Sequence, residues 1–162
     1  MMRRLCVVPR GGLAMMLSLL LLGAVRVEAQ IASDSAAITG VVTKLFDAMR
    51  TRDTTTMRAL FVPNASMQSL RDTAVTFDKI DGWIAGVARA PQGVVLDERL
   101  GPQTVQIDGN LATVWVDYWF YVGPRFSHCG VDAFQLARIG GAWKIFSVVD
   151  TRRTAGCTPA PT

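Results

Sequence analysis

The sequence predicts an α+β fold, with three N-terminal helices packed on one face of a curved antiparallel sheet and a pocket between the layers. Two observations carry this expectation. Segments with helical periodicity all precede residue 91, and from residue 94 onward the chain alternates in strand fashion between tight-turn signals. A third observation sets the limits of the domain: the first 29 residues have the three parts of a secretory leader.

The first helix is expected from Asp34 or Ser35, either of which can cap free amide groups. Ile38, Val41, Val42, Leu45, Phe46 and Met49 then follow at i, i+3, i+4, i+7, i+8 and i+11, one apolar stripe. Asp53 can cap a short second helix carrying Met57, Leu60 and Phe61, stopped by Pro63. A short strand is expected over residues 65–70. Thr76 can cap a third helix whose Phe77, Ile80, Trp83, Ile84 and Val87 share a face. Strands are then predicted over 94–100 and 103–107, with Gly101-Pro102 as a bend between them. Asp108-Gly109-Asn110 is a hairpin turn, 111–122 the longest strand, and Gly123-Pro124 the next turn. Strands over 126–138 and 143–151 close the meander around Gly140-Gly141.

In the leader, Arg3, Arg4 and Arg10 form a basic start, and Leu13 to Val25 is apolar apart from Ser18 and Gly23. Val27-Glu28-Ala29 offers small residues where a signal peptidase reads. A membrane span needs about 20 apolar residues, and this run has 13 before Arg26. Cleavage near Ala29 is therefore expected over a retained anchor, giving a periplasmic or secreted product of residues 30–162. Its core would cover about 34–153 and its tail 154–162.

Cleavage changes the charge balance. Four of 17 basic residues and one of 13 acidic ones leave, so 13 basic residues face 12 acidic ones and the net charge falls to +1. That balance gives no basis for nucleic-acid binding. Of three cysteines, Cys6 is lost, and Cys129 and Cys157 remain as a pair, read as a disulfide in an oxidising compartment. It would be worth about 2–4 kcal/mol. The alternatives are two free thiols or a metal site, and zinc would need two further ligands besides the single His128. No metal and no cofactor are expected.

Several stretches carry a likeness to a known fold. Phe46-Asp47-Ala48-Met49-Arg50-Thr51-Arg52-Asp53 leads to Leu60-Phe61-Val62-Pro63; Gly109-Asn110-Leu111-Ala112-Thr113-Val114 opens the long strand; Phe134-Gln135-Leu136 and Gly141-Ala142-Trp143-Lys144-Ile145 form the closing hairpin. In this order they resemble the nuclear transport factor 2-like superfamily, the cone-shaped, cystatin-like roll shared with ketosteroid isomerase and SnoaL-type cyclases. His128-Cys129-Gly130 and Asp150-Thr151-Arg152-Arg153 are similar to an exported, lumazine-binding-like subgroup of it. The resemblance covers residues 34–153 and implies an interior pocket and a dimer through the outer sheet face. It implies no single activity, because the fold hosts isomerases, dehydratases, cyclases and non-enzymatic binders.

Strand alternation sorts the candidate residues. Ala112, Val114, Val116, Tyr118 and Phe120 share the face expected to line the cone, and Trp115, Trp119 and Tyr121 the face expected to meet a second copy. Pairing around Gly123-Pro124 sets His128 opposite Phe120 and Asp132 opposite Val116. The expected pocket is thus Phe46, Trp83, Val116, Tyr118, Phe120, Asp132 and Phe134. Asp132, desolvated by apolar walls, can act as an acid or base, and His128 and Tyr118 are the other catalytic candidates. The competing reading makes Asp132 a buried hydrogen-bonding group and His128 a strand-end residue. The two lie four residues apart on one strand, about 13 Å at ~3.3 Å per residue, too far for a direct dyad. Asp150, Arg152 and Arg153 read as an ion pair fixing the tail, or as an anion-binding rim. There is no Gly-rich phosphate loop, metal cluster or GxSxG elbow.

The functional expectation is an exported protein that holds a small apolar or aromatic ligand without turning it over. The alternatives are a cofactor-independent isomerase, dehydratase or cyclase using Asp132 or His128, and a purely structural interaction module. A void lined by Asp132, Tyr118 and Trp83 separates the first two from the third.

Overall fold

The computed structural model describes residues 11–158, with side chains from residue 28 onward. The leader's basic start and apolar run lie outside the described side chains. Two compact units are present, one ending at Asp34 and one starting at Ser35. The first is helical from Gly11. No helix among the described residues is long and apolar enough to cross a membrane.

The elements are α1 (Gly11–Thr51), α2 (Thr54–Ala59), β1 (Phe61–Arg71), β2 (Ala74–Lys79), α3 (Ile80–Ala88), β3 (Leu96–Leu100), β4 (Thr104–Asp108), β5 (Leu111–Val122), β6 (Arg125–Ile139) and β7 (Ala142–Thr151). The sheet runs β2-β1-β7-β6-β5-β3, and β4 also pairs with β5. The near end of β5 therefore pairs with β4 and its far end with β3, and Gly101 bridges the two through its amide to the Asp117 carbonyl at 2.8 Å.

Five local expectations change. Helical backbone continues through Asp34 and Ser35, so neither caps α1. Thr76 lies in strand β2 rather than at a helix start, because residues 74–79 fold back on β1 as a hairpin and α3 begins only at Ile80. The β-branched Val75 and Thr76 suit that strand. Strand β1 starts at Phe61, ahead of Pro63, and its register shifts between Phe61 and Ser66, where proline's missing N–H is tolerated. The sheet is not purely antiparallel: β1 and β7 run parallel. That pairing is open to them because the whole of β2 to β6 intervenes as a crossover. Finally, β6, at 15 residues, is longer than β5, at 12.

The α1 stripe is buried as the periodicity requires. Ile38, Val42, Leu45, Phe46 and Met49 join Val114, Val116, Phe134, Leu136 and Ile145 in one hydrophobic core. Asp53 caps α2 by accepting from the Thr56 amide at 2.9 Å. The β6–β7 hairpin turns through Gly140 (φ 58°) and Gly141 (φ 82°), a conformation that costs a side chain energy at both positions. Cys129 and Cys157 are joined in a disulfide with Cα atoms 5.9 Å apart.

Candidate functional site

Alternation along four strands brings the polar residues together. On β6, Leu136 and Phe134 point inward, and so do Asp132, Gly130 and His128 further along. Val148 on β7 continues into Asp150 and Arg152, and β3 presents Glu98 between the inward Leu96 and Leu100. From β5 comes Tyr118. The pairs Phe120↔His128 and Val116↔Asp132 are those derived from the turn at Gly123-Pro124, and Tyr118↔Gly130 lies between them.

Gly130 makes this arrangement possible. A Cβ there would lie 1.7 Å from the Thr151 carbonyl oxygen and 2.7 Å from the Tyr118 ring. With hydrogen in its place, the Tyr118 ring passes over the strand and its hydroxyl donates to the Thr151 carbonyl at 2.9 Å.

These residues enclose a void of about 30 Å³ lined by Phe46, Trp83, Glu98, Tyr118, Asp132 and Phe134, among others. That volume accommodates water-sized groups rather than a whole ligand. A wider recess of about 210 Å³ shares Trp83, Glu98, His128 and Arg152 with it and adds Met49, Leu96 and Phe120. Of the residues expected to line the pocket, Phe46, Trp83, Tyr118, Asp132 and Phe134 line the void and Phe120 the recess. Val116 is buried but lines neither, because it packs in the hydrophobic core.

The charges divide into a satisfied group and an unsatisfied one. Asp150 is buried and accepts from Ser69 Oγ, from Arg152 Nε at 2.5 Å and, more distantly, from Tyr118 at 3.4 Å. It anchors the end of β7 and leaves Arg152 ion-paired. Asp132 is equally buried, and its Oδ2 receives no hydrogen bond from a donor group among the described residues. The group it faces is the Glu98 carboxyl rather than His128, and one proton between the two carboxyls can bridge them.

Burial pushes the Asp132 carboxyl up to about 7, with Asp150 adding to the effect and Glu98 and Arg152 opposing it. Burial raises Glu98 well above the usual carboxylate range, reinforced by the charge of Asp132. The two carboxyls therefore hold at least one proton between them at neutral pH. Tyr118 is raised by burial and the surrounding carboxylates, so its hydroxyl stays protonated. His128 is lowered, first by burial and then by Arg152 and Arg71, so it is neutral at pH 7. Its ring packs against Phe120 and Tyr118 at centroid distances of 5.0 and 5.7 Å.

Glu98 is the site residue that sequence reasoning passed over, whereas Arg152 was read as an ion-pair or rim residue and does pair with Asp150. A signal existed for Glu98. Leu96, Glu98 and Leu100 alternate, so a charge stands on the apolar face of that strand.

The outer face differs from its expected form. Trp115 is 57% exposed, but Trp119 is buried, packed beside Gly101 with its Nε1 donating to the Thr158 carbonyl. Tyr121 lies under the Arg99 guanidinium, 4.2 Å from the ring centroid. The patch of three aromatics reduces to Trp115, because the disulfide-tethered tail covers one ring and Arg99 another.

Solved structures share this fold. One is an NTF-2 like protein of unknown function from Silicibacter pomeroyi, 21% identical, covering 76% of this chain and 98% of its own, with a TM-score of 0.62. Another is an NTF2-like protein with a cystatin-like fold from Novosphingobium aromaticivorans, 16% identical over 86% of this chain and 94% of its own, TM-score 0.64. A third, from Streptomyces avermitilis, is described as a "putative dehydratase" of the NTF2-like family, 16% identical over 76% of this chain and 99% of its own, TM-score 0.64. At these identities the likeness shows the fold alone. No protein of curated function matches the sequence. The family profile described as "Putative lumazine-binding" matches residues 33–149, well over half of the chain. The chain belongs to that lumazine-binding-like family and carries the nuclear transport factor 2-like fold.

Proposed function

We propose that this protein is exported, loses its leader near Ala29, and binds a small aromatic or apolar molecule in the recess at the polar end of its cone. One observation carries the reading: a buried Asp132 carboxyl with no donor group from the rest of the protein on its Oδ2, facing only the Glu98 carboxyl, in a void walled by Phe46, Trp83, Tyr118 and Phe134. A buried polar atom without a partner costs about 1–3 kcal/mol, and a ligand donor placed against it recovers that cost. The void admits only an edge of such a ligand, and the recess of about 210 Å³ takes its body. Walls of Trp83, Phe120 and Leu96 favour a flat ring, and the family's description as lumazine-binding is in keeping with a flat heteroaromatic. The disulfide is compatible with an oxidising compartment. Self-association would use the outer face through Trp115.

A second reading is acid–base catalysis of the dehydratase or isomerase type. It rests on the Asp132 carboxyl at about 7, poised to give or take a proton at neutral pH.

Thermal shift of the mature protein against a panel of flat heteroaromatics tests both, with bound compounds recovered and weighed by mass spectrometry. The expected result is stabilisation by members of the panel, recovered unchanged and bound at least tenfold more weakly by Asp132→Leu. Compounds recovered with a double bond moved or water lost would replace binding with catalysis. A panel without effect on the melting temperature, and without quenching of Trp83, would sink both readings.

A further inference from the structure

Next to the recess, a groove of about 610 Å³ runs between the β1–β2 turn and the end of β7. Arg71, Asp72, Ser127, His128, Arg152 and Arg153 line it. Three guanidinium groups in one groove are notable in a mature chain whose net charge is only +1. Among the described residues, the Arg71 and Arg153 side chains have no ion pair or hydrogen bond, and Arg152 uses only its Nε, toward Asp150. Asp72 lies on the rim and neutralises neither Arg71 nor Arg153 through an ion pair.

The backbone holds the arginines in place. The Arg152 amide donates to the Leu70 carbonyl at 3.0 Å, beside Arg71. Arg153 and Cys129 exchange two backbone hydrogen bonds at 3.0 Å each, and the Cys129–Cys157 disulfide closes the segment between. Exposed arginines are ordinarily spread apart or paired; here strand pairing and a covalent bond keep three together against their mutual repulsion. The positive field reaches His128, whose imidazolium is disfavoured first by burial and then by Arg152 and, less, by Arg71, with Asp150 opposing. Tyr118, the other titratable group against the ring, stays neutral.

His128 and Arg152 line the groove, the recess and the inner void alike. The three spaces therefore meet at these two side chains. We propose that the groove is an anion subsite, so that the ligand of this protein is an aromatic acid: its ring lies in the recess and its carboxylate or phosphate lies on Arg71 and Arg153. Arg152 sits between the two parts, with Nε on Asp150 and its Nη groups open to the anion. This rests on the binding reading above for the position of the ring, and adds the charge and the class of ligand.

His128 is the only histidine, so its ring protons report the site without assignment. The experiment titrates His128 by NMR in the mature, oxidised protein, alone and with inorganic phosphate, phenyl phosphate, benzoate or phenol. An anion on the arginines should raise the His128 midpoint by about one pH unit. Phenyl phosphate should reach that effect at a concentration about tenfold below inorganic phosphate, the gain expected from burying its ring. Benzoate against phenyl phosphate distinguishes carboxylate from phosphate preference. Arg71→Ser with Arg153→Ser, both exposed changes, should abolish the response and raise the midpoint of the free protein. Two results on the unmodified protein overturn the proposal: no response to any anion, or equal potency of phosphate and phenyl phosphate. If phenol alone still stabilises the protein in the first case, the binding reading survives and only the anion subsite falls. If phenol and the other rings all fail while phosphate still moves His128, the binding reading falls and the aromatic acid with it.

Discussion

The inner face of the sheet has two halves of opposite character, built on the same strands. At the closed end, Leu136 and Phe134 of β6, Val114 and Val116 of β5 and Ile145 of β7 pack against Leu45 and Phe46 of α1. One to three inward positions further along, β6 presents Asp132 and His128, β7 presents Asp150 and leads into Arg152, and β5 presents Tyr118. The closed end gains stability from burial at roughly 25 cal/mol per Å² of apolar surface. The open end sets three carboxyls against one arginine, and two of those carboxyls are raised by burial. Buried charge of this kind costs stability rather than supplying it. The difference separates what folds the domain from what the domain is folded to hold.

The contrast breaks most visibly at Phe134, whose ring meets Phe46 edge-on at 6.0 Å and is 1% exposed. Phe134→Ala should destabilise the domain by about 3–5 kcal/mol, the cost of lost transfer energy plus a cavity. Urea unfolding of residues 30–162 measures it. A loss below 1 kcal/mol would mean that the closed end is as loosely packed as the open one.

Asp132→Asn tests the other half and should act with the opposite sign. The folded state holds the Asp132 proton up to about pH 7, whereas the unfolded chain releases it near the ordinary value of 3.8. Between those values the folded protein binds more protons than the unfolded chain, so stability falls as pH rises from about 4 to about 7 and then levels. Asparagine removes that penalty. At pH 8 the variant should be more stable by about 1–3 kcal/mol, and at pH 4 the two proteins should unfold together. Parallel pH curves for the two would show that Asp132 is not the buried acid.

Legibility in the sequence followed the same division. The closed end was written in single-period patterns: the stripe from Ile38 to Met49 and the alternation from Ala112 to Phe120 each specify a buried face without tertiary knowledge. Hairpin turns carried the register of β5 against β6, and with it the placement of Asp132 and His128. Four features escaped because they depend on contacts beyond the segment that carries them. Thr76 has the chemistry of a helix cap, but pairing with Ser69 across the β1–β2 hairpin places it in a strand. The parallel β1–β7 pair joins segments some 80 residues apart, as in Met67↔Val148. Glu98 was visible as a charge on an apolar face, yet its partner Asp132 sits on another strand, and only the sheet order β6-β5-β3 brings them to one cavity. Trp119 likewise reads as a surface aromatic until the tail folds over it.

Tyr118 stands at the boundary of the two halves, and its substitution should have the smallest effect. Its ring is 1% exposed and lies over Gly130, so it belongs to the core by packing. Its hydroxyl belongs to the polar end, donating to the Thr151 carbonyl at 2.9 Å with Asp150 at 3.4 Å. Tyr118→Phe keeps the ring and removes one hydrogen bond, worth about 0.5–1.5 kcal/mol net. The hydroxyl's proton is held more tightly than in free tyrosine, by burial and by the carboxylates around it, so no titration of Tyr118 enters below pH 9. The cost should therefore be the same at pH 4, 6 and 8, in contrast to the pH-dependent gain from Asp132→Asn. A cost that grows or shrinks across that range would show the hydroxyl responding to the proton shared by Asp132 and Glu98. The boundary would then fall one residue deeper on β5, and the polar cluster would have to be treated as four coupled groups instead of two carboxyls beside an anchored pair.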